Sequence, residues 1–185
     1  MSNSSKIILD LCGGTGSWSA PYRDAGYDVR VVDPLAGGGD VRLLRLHSEP
    51  IHGILCAPPC THLSGSGARW WEAKGEAALL EAMSVVDACL RVVWAHNPAW
   101  WVMENPVGRL VRFIGKPRMT FHPCDYGDPY TKKTCLWGVF TEPKKSPVPA
   151  TEGSKMHLLP PSEDRWRLRS MTPPGFAKAF FEANP

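Results

Sequence analysis

The sequence predicts an α/β fold in which a mixed, mostly parallel sheet carries helices on both faces. Short apolar runs alternate with helical stretches in the first half of the chain, a glycine-rich turn follows the first run, and one long amphipathic helix occupies residues 72–95. With 185 residues, 43% hydrophobic and 21% charged, the composition is that of a single globular domain over residues 1–185.

The first strand and the turn after it predict a ligand site. Residues 6–11 form an apolar run that leads into the glycine-rich stretch 12–19, where glycine lets the backbone approach a ligand closely. A second run, residues 27–33, ends in Asp33, and an acid at this place is suited to hydrogen-bond a ribose diol. The pattern favours a nucleoside-containing cofactor, although ordinary tight turns also use glycine.

The second half of the chain completes the sheet. Apolar residues recur at helical spacing through 72–95, which predicts a core helix, and strands are expected near 54–56, 100–103, 119–122 and 135–140. The proline-rich segment 141–164 has little periodicity and is predicted to be a loop or flap.

Cys60 is the strongest candidate nucleophile. It follows the apolar run 54–56 and two prolines, Pro58 and Pro59, which prevent regular strand from continuing. The thiol is therefore expected at the carboxyl end of a strand, where open α/β sheets place their ligands. The alternative is a structural cysteine in a turn, because free cysteines often act as small hydrophobic residues.

Ordered motifs along nearly the whole chain resemble those of the DNA (cytosine-5) methyltransferases, in a compact, phage-like form. Residues 10–16 resemble the first S-adenosylmethionine motif, and residues 58–60, with Ser64 and Gly67, resemble the catalytic Pro-Pro-Cys loop. Four further segments match in the family's order, namely Asp33 with residues 39–41, residues 104–106, residues 125–132 and residues 172–179.

This resemblance implies a Rossmann-like S-adenosylmethionine-dependent methyltransferase fold and methyl transfer to C5 of cytosine in DNA. In that chemistry the Cys60 thiolate adds to C6 while Glu104 hydrogen-bonds or protonates N3. The catalytic residues carried over are Cys60, Glu104, Asn105 and Lys132. The residues carried over to the S-adenosylmethionine site are Asp10, Cys12, Gly13, Gly14, Thr15, Gly16, Trp18, Asp33, Pro34, Asp40, Val41, Pro58, Arg169 and Ser170.

The chain departs from the resembled family where a target-recognition domain is expected. Only 35 residues separate Lys133 from Arg169, which leaves the loop 141–164 in place of that domain. DNA is the expected partner, bound with low sequence specificity through phosphate contacts, unless a homodimer or a partner chain supplies recognition. Weak specificity favours DNA modification by a virus or mobile element over restriction. Candidate phosphate contacts are Arg69, Lys132, Lys133, Lys144, Lys145 and Lys155, although a solvated basic surface is the alternative for the last three.

Four alternatives follow from the same residues. Arg169 stands where the family usually has glycine, so a carboxylated S-adenosylmethionine analogue is a second candidate donor, with a DNA phosphate or surface role for Arg169 as the simpler reading. Glu104 is alternatively a structural acid paired with Arg109 or Arg112. The substrate is alternatively a free pyrimidine nucleotide, or the chain is a non-catalytic relic that binds DNA or nucleotide.

Composition and spacing bound the remaining classes. The start of the sequence lacks the apolar core of a signal peptide and no long apolar run follows, so a cytoplasmic protein with reduced thiols and no membrane span is expected. Six cysteines include no Cys-x-x-Cys pair, and Leu63 stands where zinc deaminases need their second cysteine, so no metal is expected. The net charge of +3 favours nucleic acid only weakly.

Overall fold

A computed structural model describes residues 3–185. Six strands form one sheet: β1 (Ile7–Leu11), β2 (Asp28–Val32), β3 (Ile51–Cys56), β4 (Trp100–Pro106), β5 (Met119–Phe121) and β6 (Thr134–Val139). The α-helices within the described residues are α1 (Ala20–Asp24), α2 (Trp71–His96), α3 (Val111–Ile114), α4 (Lys155–Leu158), α5 (Arg165–Ser170) and α6 (Pro174–Ala183). Each predicted strand and the long predicted helix are present, so the α/β prediction is confirmed.

The sheet has the strand order β2-β1-β3-β4-β6-β5. Strands β1 to β4 pair in parallel, and β6 runs antiparallel to both of its neighbours, β4 and β5. The chain turns one way from β1 to reach β2 and the other way to reach β3. This reversal opens a crevice beyond the carboxyl ends of β1 and β3, which is where doubly wound sheets bind ligands.

Apolar side chains cover both faces of the sheet. On one face Ile7, Leu9 and Leu11 of β1 pack with buried residues of α2 such as Val86 and Val92. On the other face Ile8 lies in an aromatic-rich cluster that includes Tyr22 of α1 and residues of α6. Burial on both faces explains why the central strands are continuous apolar runs.

Helix α2 contains a break near its start. Gly75 has a φ of +70°, so the regular helix begins after it, and Asn97 ends the helix in the left-handed conformation with a φ of +44°. The helix matches the predicted range 72–95 to within one residue at each end. None of the helices between residues 3 and 185 is long and apolar enough to span a membrane.

The proline-rich segment lies along the body of the protein. The backbone N–H groups of Ser146, Val148 and Glu152 donate to carbonyls of Asp125, Cys124 and Pro129, at 2.8–2.9 Å. The segment also contains helix α4, whereas the sequence predicted only a loop or flap there. A single helical turn is too short to produce an apolar period in the sequence.

Candidate active site

Four strand ends bring the sequence motifs together. The glycine-rich turn follows β1, Asp33 follows β2, the loop with Cys60 follows β3, and Glu104 and Asn105 lie near the end of β4. Because β1 to β4 are parallel, all four lie along one edge of the sheet. This edge, together with the segments that close it, is the candidate active site.

The turn after β1 needs glycine at specific positions. Cys12, Gly14 and Gly16 have φ values of +59°, +50° and +65°, which lie in the left-handed region. This conformation favours glycine, and two of the three residues are glycine. A Cβ added at Gly13 would lie 2.3 Å from Cγ of Asp10. The Asp10 carboxylate therefore sits directly beneath the turn and excludes any side chain at Gly13.

Asp10 is a buried acid with an unused oxygen. Its Oδ2 accepts a hydrogen bond from Oγ of Ser19 at 2.5 Å, whereas its Oδ1 has no partner among the described residues. Burial raises the pKa of Asp10 to about 6, an effect that the Ser19 hydrogen bond and the charge of Arg23 reduce. A group held at such a cost to folding is a common feature of ligand sites.

Replacing Asp10 with Asn is expected to stabilise the free protein at neutral pH. The folded pKa of about 6 lies above the ordinary value of 3.8, so the stability that Asp10 contributes is present at low pH and is lost as pH rises through 6. The two-unit difference corresponds to about 3 kcal/mol, less any weakening of the Ser19 hydrogen bond. Urea unfolding should show the variant more stable than the parent at pH 7.5, with the difference shrinking toward pH 4.5.

The matched control is Asp87→Asn on the exposed face of α2, which should change neither the stability at pH 7.5 nor its pH dependence. An Asp10→Asn variant that is less stable than the parent at pH 7.5 would contradict the prediction.

Asp33 and Asp40, the two acids that follow β2, differ in the groups that their carboxylates contact. Oδ2 of Asp33 accepts from the backbone N–H of Gly14 at 3.0 Å and Oδ1 accepts from that of Leu35 at 2.8 Å, which ties the second strand end to the glycine turn. Asp40 instead forms an ion pair with Arg42 at 2.6 Å, and Arg42 also pairs with Glu81. This pairing lowers the pKa of Asp40 and occupies its carboxylate.

Other residues of the predicted cofactor set have different surroundings. Trp18 is 2% exposed and packs against Phe176 and Phe180, so its contacts are those of a core residue. Val41 is also buried, on the face covered by α2. Thr15, Pro34 and Ser170 are exposed, and Pro58 is buried.

A cofactor with a nucleoside part fits the crevice beyond β1. The residues beneath it supply a buried carboxylate oxygen without a partner among residues 3–185, at Asp10, and a turn in which the absence of a Cβ at Gly13 leaves room for that carboxylate. Asp33 lies beside the turn with both oxygens turned toward backbone N–H groups. Acceptors of this kind suit a hydroxyl, amino or sulfonium group better than a phosphate.

The loop that carries Cys60 is held from several sides. The Cys60 carbonyl accepts hydrogen bonds from the backbone N–H groups of Leu63 and Ser64, which makes a tight turn after Cys60. Nδ2 of Asn105 donates to the Pro58 carbonyl at 2.8 Å, and Nε of Arg109 donates to the His62 carbonyl at 2.7 Å. Asn105 and Arg109 thus position this loop from the β4 side while the Cys60 side chain remains exposed.

Glu104 and Lys132 line one small cavity with Phe121, Thr134, Ser170, Thr172 and Pro173. Burial raises the pKa of Glu104, whereas the charge of Lys132 lowers it. Nζ of Lys132 donates to the Arg169 carbonyl at 2.9 Å, which brings α5 to the site. Glu104 forms no ion pair with Arg109 or Arg112, so the structural alternative for this acid has no support from its contacts.

The charges of Glu104, Lys132 and Arg169 all affect the pKa of the Cys60 thiol. Desolvation, followed by the nearby charge of Glu104, raises the pKa of Cys60, and the charges of Lys132 and Arg169 lower it. The net direction is upward, so the free protein holds a protonated thiol at neutral pH. Formation of the thiolate therefore depends on the positive charges of Lys132 and Arg169 and on transfer of the thiol proton when a substrate is bound.

Alkylation of Cys60 is expected to begin at higher pH than alkylation of the same peptide in denatured protein. The thiolate is the reactive form, and the folded environment raises the pKa of this thiol. Glu104→Gln should move the midpoint down by removing a negative charge, and Lys132→Met should move it up by removing a positive one. Iodoacetamide labelling followed by peptide mass spectrometry measures all three, and equal midpoints in the parent and both variants would contradict the expectation.

One cluster at the site edge has no signal in the sequence. Cys56 and Cys89 are buried in one apolar cluster with Cys12 packed against it, and the neighbouring Cys89 thiol together with burial raises the pKa of Cys12 far above its usual range. Cys12 directly follows β1, Cys56 ends β3 and Cys89 lies in α2, so only the tertiary fold brings them together. Within residues 3–185 no group of three His, Cys, Asp or Glu side chains is arranged to hold a metal ion.

Comparisons with known proteins inform the fold. No model of a protein family matches the sequence, and no curated protein matches it. Among solved structures, the chain is similar to an E. coli protein described as a "putative DNA modification methyltransferase encoded within prophage", with 19% identity and a TM-score of 0.50. The match covers 86% of this chain and 49% of the other, so the chain spans about half the length of that protein. The chain thus has the Rossmann-like fold of the S-adenosylmethionine-dependent methyltransferases, as the motifs implied.

Proposed function

We propose that the protein transfers a methyl group from S-adenosylmethionine to C5 of cytosine in DNA through a covalent bond between Cys60 and C6. One observation carries the proposal: Cys60, an exposed residue in the loop after β3, lies close enough to the partly buried Glu104 of the adjacent parallel strand β4 for the charge of Glu104 to raise the pKa of the thiol. Strand β1, which leads into the glycine turn, pairs with β3 on the side opposite β4. Nucleophile, acid and cofactor crevice thus share one edge of the sheet.

Cys60 makes C5 of cytosine reactive. Its sulfur forms a bond to C6, and the electron pair of the C5–C6 double bond moves toward C5, which becomes nucleophilic. After C5 has gained its new carbon, water accepts the C5 proton, the electron pair of that C–H bond re-forms the C5–C6 double bond, and the Cys60 sulfur leaves C6 as a thiolate. The positive charges of Lys132 and Arg169 favour the thiolate that starts this sequence.

Glu104 supports the addition from the base side. Desolvation raises the pKa of Glu104, which favours the protonated carboxyl that can donate toward N3 as electron density builds in the ring. Lys132 holds the Arg169 carbonyl next to this acid. We assign Asn105 to positioning, because its amide grips the Pro58 carbonyl and fixes the turn before Cys60.

The chain's own residues account for cofactor binding in the crevice. Asp10, Gly13 and Gly14 would lie beneath the donor, and Asp33 would meet its ribose. When bound, S-adenosylmethionine supplies an electrophilic carbon on a positively charged sulfur. A donor with an added carboxylate is the alternative that Arg169 offers, since its guanidinium forms no ion pair among residues 3–185. The mass of the modified base distinguishes the two donors.

A mechanism-based trap tests the covalent step. An oligonucleotide that contains 5-fluorocytosine, incubated with protein and S-adenosylmethionine, should form an adduct that survives denaturation, because fluorine at C5 cannot leave as a proton does. Peptide mapping should place the adduct on Cys60, and Cys60→Ala should not form it. An adduct on another residue, or none on any DNA, would contradict the proposal and favour a nucleotide substrate or a binding-only protein.

A further inference from the structure

Two exposed tryptophans flank the candidate active site. Trp70, which ends the turn Gly65–Trp70, has 53% of its surface exposed, and Trp166 in α5 has 55% exposed. An indole ring at this degree of exposure leaves a large apolar area in contact with water unless a ligand covers it. Each has arginine as a sequence neighbour, with Arg69 before Trp70 and Arg165 and Arg167 on either side of Trp166.

Trp70 lies on the Cys60 side of the site. The turn that it ends folds back onto the nucleophile loop, because Nζ of Lys74 donates to the Thr61 carbonyl at 3.3 Å. The guanidinium of Arg69 lies 5.1 Å from the centre of the Trp70 ring. An arginine stacked on one face of a partly exposed indole leaves the other face for a planar ligand.

Trp166 lies on the Lys132 side. It precedes Arg169 by three residues in α5, so the two side chains share a face of the helix. The Arg169 carbonyl receives the Lys132 hydrogen bond, and the charge of Arg169 reaches Cys60. The two tryptophans therefore lie on elements that meet the same site from different sides.

Within residues 3–185, the segment at the place of a recognition domain lies against the protein, where it is not extended to enter a groove of duplex DNA. The proline-rich segment, which replaces a recognition domain, is bound along the body by backbone hydrogen bonds. Bases in a duplex are stacked on each other and cannot also stack on tryptophan, and extracting one costs a few kcal/mol. Unpaired bases can stack on exposed aromatic rings while arginines follow the phosphates.

We infer that the substrate is single-stranded DNA, whose bases next to the target cytosine stack on Trp70 and Trp166. This inference rests on the proposed function and specifies its substrate class. The rings supply affinity without reading base edges, which agrees with the low sequence specificity expected of the chain. Arg69, Arg165 and Arg167 contact the phosphates on the two sides of the target.

The first test measures binding by fluorescence anisotropy, with the Cys60→Ser background preventing turnover. The probe is a labelled cytosine-containing single strand without self-complementarity, compared with the same strand in a duplex, with RNA of the same sequence and with dCMP as competitor. Trp70→Ala and Trp166→Ala should each weaken single-strand binding by about 5- to 100-fold. Trp94→Ala is the matched control, because Trp94 is 70% exposed near the far end of α2 and should have no effect.

The second test measures modified cytosine formed by protein with Cys60 intact, on the single strand and on the duplex. Faster modification of the single strand, with a loss in both tryptophan variants that Trp94→Ala does not share, supports the inference. Equal or faster modification of the duplex, tighter binding of RNA, or variants no worse than Trp94→Ala would overturn it and leave the proposed function standing. Tryptophan-dependent binding of the single strand without modified cytosine on any DNA would overturn the proposed function instead.

Discussion

Replacing Cys60 with Ser should lower the rate of cytosine modification by at least about 10³-fold. Serine keeps the size of the side chain but is a far weaker nucleophile at neutral pH, so addition to C6 fails. The fold should be unaffected, because the side chain is exposed and the turn is held through the backbone carbonyl of Cys60. Product formation under single-turnover conditions, with circular dichroism as the check on folding, measures the effect.

Cys124→Ser is the matched control for this substitution. Cys124 is a partly exposed thiol in the turn Pro123–Tyr126, and its replacement should leave the rate within about twofold of the parent. A Cys60→Ser protein that retains a tenth or more of the parent rate would show that Cys60 is not the nucleophile.

Replacing Glu104 with Gln should lower the rate by about 10²- to 10⁴-fold. The amide fills the same partly buried space and can still donate a hydrogen bond, but it cannot transfer a proton to N3. The variant should also alkylate more readily at Cys60, because the charge that raises the thiol pKa is gone. A loss of catalysis together with a gain in thiol reactivity separates an effect on the base from damage to the nucleophile.

The control for Glu104 is Glu76→Gln on the exposed start of α2, which should change neither quantity. If Glu104→Gln lost thiol reactivity and catalysis together, a misplaced nucleophile loop would explain the data better than a missing proton donor.

The elements that form the site were predictable from sequence because their signals are local. Strands buried on both faces are continuous apolar runs, and the turn after β1 requires glycine where its backbone is left-handed and where Asp10 lies beneath it. Two prolines before Cys60 end the third strand at a fixed point. These features indicate the positions of the candidate cofactor crevice and of the candidate nucleophile before any contact is known.

Contacts between distant segments were not predictable. The ion pair of Arg42 with Glu81, the hydrogen bond from Asn105 to the Pro58 carbonyl, and the burial of Trp18 beneath α6 all depend on the packed structure. The same holds for α5, a short helix whose place beside the site becomes evident only through the hydrogen bond from Lys132 to the Arg169 carbonyl. The sequence gives the types of the residues and their spacing, but not the partner that each side chain contacts.

The most direct measurement is mass spectrometry of nucleosides from single- and double-stranded DNA incubated with purified protein and S-adenosylmethionine, in parallel with Cys60→Ser and with the carboxylated donor. The proposed function predicts a modified cytosine that the parent forms and Cys60→Ser does not, with the mass of 5-methylcytosine when S-adenosylmethionine is the donor. A modified base other than cytosine, a product that Cys60→Ser forms equally well, or no product from either DNA with either donor would contradict the proposed function.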